Sequence, residues 1–109
     1  NGYYLKYQKS YVDRGFGERP IIRNGKVHGN LMDDHLGFYP VQLEALRKLW
    51  EVIYRYYDIP LQTPTDSEGN EITGVYAPAV NLEYSGFIHH YHLTRNKIDC
   101  GGLDLTSLI

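Results

Sequence analysis

Three of the five histidines fall within four residues, His89-His90-Tyr91-His92, and Lys97, Asp99 and Cys100 follow within the next eight positions. Together these residues offer imidazole, carboxylate and thiolate, the common donor types for zinc. A catalytic zinc takes three protein ligands and keeps a fourth position for water, whose pKa it lowers to roughly 7. His90 with Asp99 or Cys100 would supply two of those three. If the segment is a strand, alternation points His90 and His92 to one face and His89 to the other. The bland alternative is a hydrogen-bonded, half-buried histidine set followed by an ordinary turn with a buried thiol. A third possibility is a closed structural site made by His90, His92, Cys100 and one upstream residue, with no place for water. His28 and His35 lie in a glycine-rich stretch without a local partner and read as surface or structural residues.

The elements that must hold these residues are unevenly legible. Leu43, Leu46, Leu49, Trp50, Ile53 and Tyr57 recur at three- and four-residue steps, which predicts a helix over 41–57 burying one face. Pro40 suits its start, and Asp58-Ile59-Pro60 ends it, because proline disfavours helical geometry in the residue before it. Gly86-Phe87-Ile88 reads as a short buried strand delivering the histidines at its end. Residues 3–11 are compatible with a strand, though with imperfect alternation. Between 12 and 40, closely spaced Gly and Pro forbid a long helix, and Asn24-Gly25 flanked by Ile21, Ile22 and Val27 predicts a short hairpin. Residues 61–85 form a long connection, a length at which loops are more often functional than idle and at which a lid is expected. Leu103 to Ile109 would be a short helix or an extended tail.

With 109 residues, 42% hydrophobic and 22% charged, the chain has room for one modest domain and none of the signature of disorder. A formal net charge of -2 gives no basic field for nucleic acid. No apolar run approaches the roughly 20 residues of a membrane helix, so neither nucleic acid nor membrane insertion is expected. The single cysteine excludes an intramolecular disulfide and an all-cysteine zinc site. The chain opens on the turn dipeptide Asn1-Gly2, without an initiator Met, and is expected to be part of a longer polypeptide.

The order Gly86-Phe87-Ile88-His89-His90, a polar loop, then Lys97-Ile98-Asp99-Cys100-Gly101 resembles the C-terminal zinc motif of the N-acetylmuramoyl-L-alanine amidase family, within the amidase and peptidoglycan-recognition superfamily. Family members have Gly-His where this chain has His89-His90, and Asp-Pro-Gly where it has Asp99-Cys100-Gly101. Gln42 stands in the first turn of an amphipathic helix upstream, as in the family, and Asn1-Gly2-Tyr3 looks like the segment leaving the central strand. The resemblance implies an α/β fold, a mixed β-sheet flanked by helices, of which residues 1–109 are a single partial domain, the C-terminal half, with enlarged loops at about 12–40 and 61–85.

It further implies that His90 and Asp99 bind zinc, with His92 and Cys100 as rivals, and that Lys97 stabilises the oxyanion formed when hydroxide attacks the amide. Asp99 is preferred because its spacing from Lys97 matches the motif and Cys100 takes the usual proline position. The bond cut joins N-acetylmuramic acid to L-alanine of the stem peptide. The implied activity is therefore zinc-dependent peptidoglycan hydrolysis at the bacterial cell wall, in a phage-encoded or secreted lysin. The family's first zinc His and its catalytic Glu have no counterpart here and would come from a preceding segment or a companion chain, so this chain alone is expected to be inactive. The alternative is a non-catalytic peptidoglycan-binding or virion structural module, for which 11 tyrosines suit a sugar-stacking groove or an assembly interface.

Overall fold

A computed structural model describes residues 2–109, with side chains described for residue 6 and from residue 8 onward. Helix and antiparallel strand are both present. The first helix, α1, runs Gly2–Asp13, so the strand expected over 3–11 is not formed. What replaces strand alternation is a helical end signal: Gly15 donates to Val12 O and Phe16 to Tyr11 O, the paired bonds of a Schellman stop. The Tyr11 and Phe16 rings meet edge to face at 6.4 Å across that stop, and Lys9 pairs with Asp13 at 2.6 Å one turn apart. Gln8 is buried and its amide copies a strand pairing, accepting from Arg19 N at 2.6 Å and donating to Arg19 O at 3.3 Å. Of the segment likened to one leaving a central strand, Gly2 and Tyr3 open α1 and Asn1 lies outside the described residues.

Four two-residue strands fold the glycine-rich stretch into two nested pairs: β1 (Ile21–Ile22) with β4 (His35–Leu36), and β2 (Lys26–Val27) with β3 (Asn30–Leu31), each antiparallel. The hairpin is therefore displaced from Asn24-Gly25. Its turn is His28-Gly29, with φ of 54° and 80°, the doubly positive geometry whose twist suits a two-residue hairpin.

The long helix, α2, spans Pro40–Tyr57, with Pro40 at its first turn and Asp58 left-handed just past its end. Gln42 Oε1 accepts from Tyr39 N at 2.9 Å, satisfying an amide at the helix entry. Leu43, Leu46 and Trp50 pack with Leu61, Phe87, Leu103, Leu105 and Leu108 to make the core, and Trp50 stacks on Phe87 at 4.1 Å. Leu49 and Tyr57, expected on that face, are 53% and 72% exposed. The covered stripe is narrower because what lies against it is short: Leu61, Phe87 and the C-terminal segment. That segment is a 3₁₀ turn over Leu105–Leu108, capped by Asp104.

The 61–85 connection carries one short helix, α3 (Ala77–Val80), and an isolated bridge between Thr65 and Glu71. It is pinned rather than loose. Phe87 donates to Gln62 O at 2.8 Å, Gln62 Nε2 to Ser85 O at 2.7 Å, and Tyr76 to His92 O at 2.9 Å. No helix among the described residues is long and apolar enough to cross a membrane.

Candidate functional site

The strand expected to deliver the histidines is instead an extended approach ending in a 3₁₀ turn over His90–His92. In a 3₁₀ turn, residues three apart eclipse, so His89 and His92 share the inner side and His90 stands alone outside. Strand alternation would have paired His90 with His92. The turn pairs His92 with His89 instead, and His89 N–H donates to His92 Nδ1 at 2.9 Å.

The two inner rings are fully committed. His92 is wholly buried; its Nδ1 accepts from His89 N, so its Nε2–H donates to Ile72 O at 2.7 Å. Burial holds its pKa below the usual imidazole value, with the neighbouring His89 acting in the same direction. His89 accepts from Cys100 N at 3.3 Å through Nδ1, and its Nε2–H faces Leu103 O and Glu71 Oε1, each at 2.9 Å. Glu71 also accepts from the Tyr91 hydroxyl at 3.1 Å. Burial first, and then the Glu71 charge, raise the Tyr91 pKa, keeping that hydroxyl a donor. Glu71 carried no signal in the sequence, because its partners lie about twenty residues downstream on a different element.

The outer residues form a different group. His90 Nδ1 lies 3.2 Å from Asp99 Oδ2, and the two side chains are 46% and 60% exposed. Lys97 is exposed two residues before Asp99. Asp99 is held below the usual carboxylate range, first by a hydrogen bond from its own backbone, then by His90, and least by the Lys97 charge. Cys100 is an exposed free thiol whose amide is tied to His89. The structure thus brings His90, Asp99 and Lys97 to one exposed loop and puts His92 inside, with no ring nitrogen lone pair left over. The closed set of His90, His92 and Cys100 is therefore not assembled here.

His28 and His35, read as lacking local partners, both reach this loop: His28 Nε2 contacts Lys97 O at 3.0 Å and His35 Nε2 lies 3.3 Å from Gly101 O, although His35 also has a local partner, its Nδ1–H donating to Asp33 O at 2.9 Å. These contacts join residues 69 and 66 positions apart. No local spacing rule could have found them.

The donor set can be tested against zinc directly. Two donors bound at about 2.0–2.1 Å to one tetrahedral zinc stand about 3.3 Å apart, close to the observed His90–Asp99 separation of 3.2 Å. Both groups face solvent and Asp99 is ionised at neutral pH, so binding would require only that His90 give up the Nδ1 proton it now donates to Asp99. Among the described residues, no set of three His, Cys, Asp or Glu converges as a metal site. No family model, curated protein or solved structure matches this chain.

Proposed function

We propose that this chain is the C-terminal half of a zinc-dependent peptidoglycan amide hydrolase of the N-acetylmuramoyl-L-alanine amidase type, built on a mixed sheet flanked by helices and acting at the bacterial cell wall. What carries the proposal is the meeting of an imidazole and a carboxylate at 3.2 Å beside a lysine on one exposed loop. His90 and Asp99 would hold the metal, and the remaining zinc ligand and a catalytic Glu would come from a preceding segment or companion chain. Zinc held there supplies a water that ionises near neutral pH.

The rest is the work of this chain's own residues. Asp99, joined to His90 on the metal, would neutralise part of its charge. Lys97 would place a cation where negative charge grows on the amide oxygen of the muramoyl–L-alanine bond, and such a charge is worth several kcal/mol once substrate and the preceding polypeptide exclude water from the loop. His89 and His92 hold the turn from which His90 projects.

The test is hydrolysis of purified peptidoglycan by the protein that includes the preceding polypeptide, read as newly freed amino groups on L-alanine. Release that depends on zinc and is lost in His90→Ala supports the proposal; zinc-independent release, or none, contradicts it.

A second reading, a non-catalytic binding or virion structural module, is favoured by one feature. Tyr54, Tyr56 and Tyr57 are 47%, 77% and 72% exposed at one end of α2, as flat faces for sugars or a protein partner would be. Retention on peptidoglycan without release of L-alanine amino groups would select it.

A further inference from the structure

Four imidazoles converge on the segment between Lys97 and Leu103. His90 meets Asp99 on the outside and His89 grips Cys100 N and Leu103 O from within. The other two come from far away in sequence, out of the glycine-rich excursion between α1 and α2. His28 sits in the β2–β3 turn, fixed by its own N–H to Thr73 O at 2.7 Å, and its Nε2–H donates to Lys97 O at 3.0 Å. His35 sits on β4 opposite Ile22; its Nδ1–H donates to Asp33 O at 2.9 Å, and the Nε2 edge of its ring lies against Gly101 O at 3.3 Å as a packing contact.

The contact is also steric. A Cβ on Gly102, whose φ is +84°, would lie 2.8 Å from His35 Nε2 and 2.9 Å from Ile22 Cγ2. One on Gly101 would lie 2.5 Å from Met32 Sδ and 2.9 Å from Ile98 O. The two glycines let the excursion lie close against the backbone of the loop; at Gly102 the positive φ and the His35 ring together exclude a side chain, while at Gly101 it is the end of the Met32 side chain that fills the space.

We infer that residues 21–37 are a brace for the loop that carries Lys97 and Asp99, with His28 and His35 as positioning residues: His28 holds the Lys97 end through its carbonyl, and the His35 ring packs against the Gly101–Gly102 end. The brace touches neither Lys97 Nζ nor the Asp99 carboxylate. It acts on where the backbone presents them, and small misplacements of such groups are costly to a reaction. Its catalytic purpose rests on the hydrolase proposal above; its existence does not.

The test therefore has two readouts. In this chain, amide hydrogen exchange is followed at Cys100 and Leu103, whose N–H groups bond to His89 Nδ1 and Cys100 O, with the α2 amides as a control for global opening. His28→Asn keeps a residue tolerant of positive φ but too short to reach Lys97 O, and His35→Ala removes the ring packed on Gly102. The pair should speed exchange at Cys100 and Leu103 by about tenfold, on the scale of one lost hydrogen bond, while α2 is unmoved. His28→Gln, which retains a donor, and His35→Phe, which retains a ring, should restore slow exchange.

In the protein that includes the preceding polypeptide, the Asn/Ala variant should lower kcat about tenfold with KM moved less than about twofold, and the Gln and Phe variants should recover it. Unchanged exchange in the Asn and Ala variants, singly and together, overturns the brace. Faster exchange with unchanged kcat overturns its tie to Lys97. A parent enzyme with no hydrolysis contradicts the hydrolase proposal, and the exchange result alone then upholds or overturns the brace.

Discussion

His90 and His92, two residues apart, have opposite fates, and the difference is one of donors and acceptors. His92 gives up both nitrogens to Ile72 O and His89 N inside the protein, whereas His90 keeps its ring at the surface beside Asp99. That the chemistry-bearing residues cluster near 90–99 was legible from the sequence, because they are near neighbours in the chain. Which histidine turns inward was not, since it depends on a 3₁₀ turn whose partner carbonyl, Ile72 O, lies 20 residues upstream. Two predictions belong at this scale. Lys97→Ala should leave zinc binding intact while lowering kcat for peptidoglycan amide hydrolysis by about 10²- to 10³-fold, the loss seen when one oxyanion-stabilising donor is removed; equal rates in the variant and the parent would remove that role. The second concerns acid. The folded His92 pKa is depressed below its ordinary 6.5, so between that lower value and 6.5 the unfolded chain binds the extra proton. His92 therefore contributes stability that is fully present above about 6.5 and is lost as pH falls toward the folded value. Urea midpoints should decline from pH 7 to pH 5, and a His92→Gln protein should decline less over that range.

Among the elements, α2 was readable because one long apolar period, a proline start and a proline stop agree with one another. The strand expected over 3–11 failed because alternation in a tyrosine- and lysine-rich segment is weak, while Arg14-Gly15-Phe16 is a strong helix ending that acts only once the helix exists. The displaced hairpin has a similar cause: both Asn24-Gly25 and His28-Gly29 can turn the chain, and pairing of Ile21–Ile22 with His35–Leu36 across the whole excursion selects the second. The C-terminal 3₁₀ turn contributes more than its length promises, since Leu105 and Leu108 close the core over Trp50. Trp50→Ala removes the centre of that cluster and its stacking on Phe87. It should cost about 3–5 kcal/mol in urea unfolding; a loss under about 1 kcal/mol would mean that α2 does not depend on this packing.

The whole molecule is more open than its mass requires. Its radius of gyration is 15.6 Å, against about 13 Å for a compact domain of this length. Its accessible surface is 7534 Å², against about 6,200 Å² for a compact protein of this mass. Part of the excess is a second apolar stripe on α2, where Val41, Leu49, Val52 and Tyr56 are each at least 49% exposed on the side away from Trp50. Because that stripe is uncovered, Leu49→Gln with Val52→Gln should change the stability of this chain by no more than about 0.5 kcal/mol per site; a cost of several kcal/mol would show that the face is buried in solution. Openness of this kind was invisible in the composition, which is ordinary for a globular domain. The long-range contacts of His28 and His35 were equally invisible, and they knit the excursion to the loop bearing Lys97 and Asp99. The central claim is that His90 and Asp99 grip one zinc together, and a calorimetric zinc titration of this chain, His90→Ala, Asp99→Ala and the double variant tests it most directly. Each single substitution should weaken binding by at least about tenfold and the double should weaken it little further, because either loss already breaks the chelate. Zinc affinity unchanged in both single variants, or losses that simply add, would contradict it.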